Sequence, residues 1–153
     1  MPDPDIPVVG VTGLEHTADV GLEVAAPSLP ELFVRAALGA MWLVLEREGK
    51  GEDVVVRSVE LAENDLAALM RSWLRTLLFW LETEGLVVLQ VKIGFLPVPR
   101  CSGPEGQAFG LRAQVTGCLD QGPHVREVKG VTLHGLAVER TGEEWVGRVI
   151  FDV

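Results

Sequence analysis

Positive charge is scarce in this chain: Lys and Arg number 13 against 22 Asp and Glu, which leaves a formal net charge of −9. Phosphate backbones are held by clustered cations, so this balance excludes a general nucleic-acid binder, and any link to RNA has to run through a partner protein. Long apolar runs are missing as well. The greasiest segment, Leu66 to Leu81, spans 16 residues and contains Arg71 and Arg75, whereas a membrane span needs about 20 residues with few charges. The opening "MPDPDIPVVGVTG" is acidic and Pro-rich, without the cationic start and apolar stretch of a secretory leader. Cysteine is limited to Cys101 and Cys118, with no CxxC spacing. That fits a reducing compartment and supplies neither a metal nor a redox motif, and a disulfide between the two is the less favoured reading. The expected setting is soluble, cytoplasmic and away from membranes. GxxxxGK[ST], GxGxxG, GxSxG and HExxH are all absent, which removes the familiar phosphate cradles, nucleophile elbows and zincin sites.

A length of 153 residues with 48% hydrophobic content suits one domain covering residues 1–153. "VGLEV" from Val20 alternates apolar and polar residues as a half-covered strand does. Ser28 followed by Glu31 is a capping-box signature. After it, Leu29, Leu32, Phe33, Ala36, Ala37, Ala40, Met41 and Val44 recur at helical spacing, and Gly49 and Gly51 are expected to end that helix. The β-branched stretch from Val54 to Leu61 predicts a strand. Asn64 or Asp65 caps a second helix, "LAALMRSWLRTLLFWLETEG", stopped by Gly85. Twelve of its first 16 residues are apolar, so it is expected to form the buried centre of the domain. It lacks the Lys and Arg face of a membrane-surface helix. Four strand-like runs follow: "LVVLQVKIGF", "AFGLRAQVTGCL", "EVKGVTLHGLAVER" and "EWVGRVIFDV", with a Pro and Gly loop from Pro97 to Gln107 between the first two. Strand, helix, strand, helix and then four strands is an α+β layout, with two helices packed on a mixed, largely antiparallel β-sheet.

Polar residues with chemical potential are few and lie near strand ends. "EHTADVG" brings His16, Thr17 and Asp19, "EVKGVTLHG" brings Glu127, Lys129 and His134, and the last strand closes on Asp152 and Val153. Together they make a candidate oxygen-rich cluster, and hard cations such as Ca²⁺, Mg²⁺ or Mn²⁺ prefer such shells. Anions held within a few ångströms of one another repel unless a cation lies between them. Each residue also has a plain reading: Asp19 accepting amides in a turn, His16 and His134 as partly buried strand residues, Lys129 and Asp152 simply solvated.

The stretches "LEHTADVGLEV…SLPELFVRAALGAMW", "NDLAALMRSWLRTLLF" and "EVKGVTLHGLAVER…WVGRVIFDV" together resemble the archease family over nearly the whole chain. The HTAD motif before a helix and a chain closing on Asp plus an aliphatic residue are specific in combination. The resemblance implies a non-catalytic accessory protein of tRNA splicing and RNA repair. It would activate the GTP-dependent RNA ligase that joins 2′,3′-cyclic-phosphate or 3′-phosphate ends to 5′-hydroxyl ends, promoting its guanylylation and multiple turnover. It also implies a metal site on Asp19, Asp152 and Val153, taking Ca²⁺ or, as alternatives, Mg²⁺ or Mn²⁺, and contacts to partner or nucleotide from His16, Thr17, Lys129 and His134. The chain departs from the family pattern at Glu15, at Leu133, at "APS" ahead of the first helix and in the 97–107 loop. Two rival readings stand beside this one: a chaperone or modulator of an RNA-modifying enzyme such as a tRNA methyltransferase, and a metal-dependent hydrolase built on Asp19, His16 and Asp152.

Overall fold

The computed structural model describes residues 5–15, 19–97 and 109–153, so His16, Thr17, Cys101 and the Pro and Gly loop beyond Pro97 lie outside it. The element order is β1 (Val11–Glu15), β2 (Asp19–Ala26), α1 (Leu29–Leu45), β3 (Val54–Glu63), α2 (Leu66–Glu84), β4 (Leu86–Pro97), β5 (Phe109–Leu119), β6 (Gly130–Val131), β7 (Ala137–Thr141) and β8 (Glu144–Asp152). The α+β class with two helices is as expected. The strands, however, divide into two sheets, one ordered β1-β2-β8-β6 with β7 also on β8, the other β3-β5-β4, and their pairings are antiparallel.

Ser28 caps α1 from an extended conformation, its Oγ accepting from the Glu31 N–H at 3.3 Å. The return half of the capping box is not made, because the Glu31 carboxylate accepts from Arg35 Nε instead. The helix does not run to Gly49. Glu46 ends it in the left-handed region, φ 48°, with its N–H donating to Trp42 O, while its carboxylate is held by Arg126 at 2.8 Å. Gly51 serves a different purpose: a Cβ there would lie 1.9 Å from the Leu119 carbonyl oxygen. Asp65 caps α2 by accepting from Ala68 N–H at 2.7 Å, and Gly85 closes it at φ 71°.

Leu69, Met70, Trp73, Leu74, Leu77 and Leu81 form the buried stripe of α2. Its other face, with Arg75, Phe79 and Glu82, is exposed, so α2 is not the enclosed centre its composition suggested. The more enclosed helix is α1, packed between β2, β4 and α2. Trp73 ties the helices together, fully buried with Nε1 donating to Phe33 O at 3.0 Å, and the Phe33 ring meets Phe95 edge-on at 5.1 Å. No helix among the described residues is long and apolar enough to cross a membrane.

Two further departures shape the five-stranded sheet. β1 precedes the strand expected first, and its Gly13 faces the core where an apolar side chain would have made the alternation visible. The stretch expected as one strand, 127–140, is broken at Leu133–Gly135, where Gly135 turns at φ 69°. β6 and β7 therefore pair end to end along one edge of β8, opposite Asp152–Phe151 and Arg148–Glu144.

Candidate carboxylate site

β8 has β2 on one side and β6 and β7 on the other, so the last strand of the sequence runs through the interior of the sheet. Its register against β2 sets Asp19 directly opposite Asp152. Directly opposed residues of an antiparallel pair share a face with Cβ atoms about 4.5–5.5 Å apart, and like charges in that relation repel. Along the same row the β6 position is Gly130, where a Cβ would meet nothing within 4 Å. On that side the row ends on bare backbone, and among the described residues no β6 side chain covers the acids.

Asp152 is exposed, whereas Asp19 Oδ1 is buried and has no hydrogen-bond partner among the described residues. A buried carboxylate oxygen without a donor costs about 1–3 kcal/mol or more. Val153 is half-buried and packs against the core. The Lys129 N–H donates to Asp152 O at 2.7 Å, so backbone, rather than the ammonium, joins Lys129 to the row. Its side chain lines a groove beside α2. His134 is exposed at the tip of the 133–135 turn, and His16 and Thr17 lie outside the described residues.

The donor set therefore consists of two facing carboxylates, the oxygens of Val153 and neighbouring carbonyls. Hard cations take six or more such oxygens, or, for Mg²⁺, keep several waters. The unpartnered Asp19 oxygen fits such a cation. No three His, Cys, Asp or Glu side chains cluster as metal ligands among the described residues, so among these residues only main-chain oxygens could add to the two carboxylates as ligands for such a cation.

Strong electrostatic clamps lie elsewhere. Arg47, with the N–H groups of Lys50 and Gly122, holds the Asp120 carboxyl well below the usual carboxylate range. On the surface, hydrogen bonding between Arg57 and Glu84 lowers the glutamate and raises the arginine. Both clamps join loops or elements of the fold and neither touches Asp19. Reading the sequence missed Arg75, Phe79 and Glu82, which line the same groove as Lys129. Their four- and three-residue spacing on one helix was the available signal.

Residues 12–153 match the Archease protein family (MTH1598/TM1083). The protein archease of Methanosarcina acetivorans is 32% identical over 92% of this chain and 93% of its own length. That of Thermococcus kodakarensis is 34% identical over 91% and 95%. Among solved structures, protein 1598 of Methanobacterium thermoautotrophicum superposes with a TM-score of 0.73 at 26% identity, covering 94% of this chain and 99% of that one. The Thermotoga maritima structure described as an archease and possible chaperone gives 0.60 at 21% identity over 92% and 94%, and supports the fold. With its two-helix α+β fold and a family match running from β1 to the last residue, the chain belongs to the archease family.

Proposed function

We propose that this chain is a non-catalytic activator of a GTP-dependent RNA ligase, of the type that joins 3′-phosphate to 5′-hydroxyl ends, and that it promotes the ligase's guanylylation and multiple turnover. The observation that carries the reading is the pairing of Asp19 with Asp152, one of whose four carboxylate oxygens is buried without a donor. Asp19, Asp152 and Val153 would hold Ca²⁺, or Mg²⁺ or Mn²⁺, and the ion would neutralise the facing acids and fix their row as a docking edge. Lys129, exposed and tied through its backbone to Asp152, presents a cation to ligase or nucleotide phosphate beside that edge. Family membership supplies the biological setting.

Calorimetric titration of the chelated protein with Ca²⁺ and Mg²⁺ tests the ion: the wild type binds one equivalent, and Asp19→Asn and Asp152→Asn lose it. A multiple-turnover ligation assay tests the role, with Lys129→Ala keeping the fold and losing stimulation. Full stimulation by all three variants sinks the reading. A chaperone or modulator of an RNA-modifying enzyme is the second reading, favoured by the description of the Thermotoga maritima relative. It predicts comparable binding to several unrelated clients, where the activator reading predicts one.

A further inference from the structure

A groove of about 450 Å³ opens between the outward face of α2, Leu61 of β3 and residues 128–131. That volume falls within the roughly 300–1,000 Å³ of small-ligand sites. Its hydroxyls are already engaged, since Thr76 Oγ1 donates to Ser72 O and Ser72 Oγ donates to Glu63. The polar groups left to meet a ligand are charged. Arg75 and Lys129 form no ion pair or side-chain hydrogen bond with any described residue, in a chain whose net charge is −9.

Both cations line this groove. Arg71 Nε donates to Val131 O at 2.7 Å, while Val128 shares a smaller cavity with Leu78, Leu81 and Glu82. The 128–131 segment thus runs opposite to α2, and Lys129 lies between the level of Arg71 and that of Leu78 and Glu82, across from the stretch that carries Arg75 and Phe79. One helical turn on from Arg75 comes Phe79, 61% exposed, and nearly another turn further comes Glu82. At 1.5 Å rise per residue, Arg75 and Glu82 are about 10 Å apart along the helix axis. Cation, bare aromatic ring and carboxylate therefore follow one another in a line, above an apolar wall.

We infer that this groove binds a nucleoside monophosphate carrying an exocyclic amine on its base. The phosphate would take charge-assisted hydrogen bonds from Arg75 and Lys129, the base would stack on Phe79, and its amine would donate to Glu82. An inorganic anion would use only the two cations, and a purely apolar molecule would leave both of them unmet. The inference shares Lys129 with the ligase reading, but it requires neither the carboxylate pair, nor an ion, nor a partner protein, so binding in chelator without the ligase tests it separately.

The test is titration of the full chain in chelator with AMP, CMP, GMP, UMP and inorganic phosphate, followed by calorimetry and amide chemical shifts. Saturable one-to-one binding is expected, with shifts confined to α2 and residues 128–131. UMP, which lacks the amine, and phosphate should each bind about tenfold more weakly than AMP. Arg75→Gln and Phe79→Ala should each weaken AMP about tenfold, and Glu82→Gln should erase the preference for AMP over UMP. All three positions are exposed, so melting curves should match the wild type; were Arg75→Gln to misfold, Arg75→Glu with the same readout takes its place. No saturable binding, equal affinity for AMP and phosphate, or an unchanged Arg75 variant overturns the proposal. So does tighter binding of a dinucleotide than of its 5′ mononucleotide, which would assign the groove to an RNA end.

Discussion

Asp19 and Asp120 are both carboxylates at strand ends, and their neighbours decide what each can do. Asp120 accepts from Arg47 at 2.7 Å and from the Lys50 and Gly122 N–H groups at 2.8 Å each. Its carboxyl is consequently held well below the ordinary value of 3.8. A group lowered in the folded state adds stability above its unfolded pKa and loses it as pH falls toward the folded one. Wild-type stability should therefore drop below about pH 4, while Asp120→Asn starts about 2 kcal/mol lower and responds less to acid, a contrast that urea melts at pH 7 and pH 3 would measure. Asp19 has the reverse setting, with an oxygen that no described donor meets and a like charge opposite. Asp19→Asn should thus raise the melting temperature in chelator, by on the order of 1 kcal/mol of relieved repulsion, and abolish the rise that Ca²⁺ gives the wild type. A fall in chelator would show the carboxylate to be satisfied without an ion. Asp19 was legible as a candidate from its place before a strand. The Asp120 clamp was not, because Arg47 and Lys50 lie on the far side of one helix and three strands in sequence.

Elements whose stops and starts rest on local chemistry were legible, and those set by distant backbone were not. Ser28, Asp65 and Gly85 act where their residue types suggest. Gly49 and Gly51 look like a helix stop, yet Glu46 makes the turn because Arg126, from the other end of the chain, holds its side chain. The glycines are there for close approach: a Cβ on Gly51 would meet Leu119 backbone rather than a movable side chain. Gly51→Ala should accordingly cost about 1–3 kcal/mol in chemical denaturation, as overpacking does, although the position is not deeply buried. A change under 0.5 kcal/mol would mean that the loop shifts freely. The 127–140 stretch misleads for a related reason. Its β-branched residues satisfy a strand pattern on both sides of Gly135, and only the register against β8 shows two short pieces instead of one.

For the whole molecule, the sequence pattern specified class and helix count but left open how the strands divide between sheets, since alternation marks a covered face without naming its neighbour. The decisive long-range fact is that β2 and β8, from opposite ends of the sequence, are adjacent along their full length. Long-range pairing of this kind makes the last strand part of the cooperative core, and that can be tested residue by residue. Phe151 is fully buried, and with Asp152 it supplies the register for β6. Removing residues 152–153 should leave Phe151 in place, keep melting cooperative and abolish any response to Ca²⁺. Removing residues 151–153 deletes a buried aromatic, worth about 3–5 kcal/mol by truncation, together with both β6 partners. Against a typical total stability of about 5–15 kcal/mol that loss should produce a broad, early transition. Circular dichroism melts of the two truncations, with and without Ca²⁺, separate the roles: cooperative unfolding in the longer form and its loss in the shorter one are expected, whereas equal melting would place β8 outside the core.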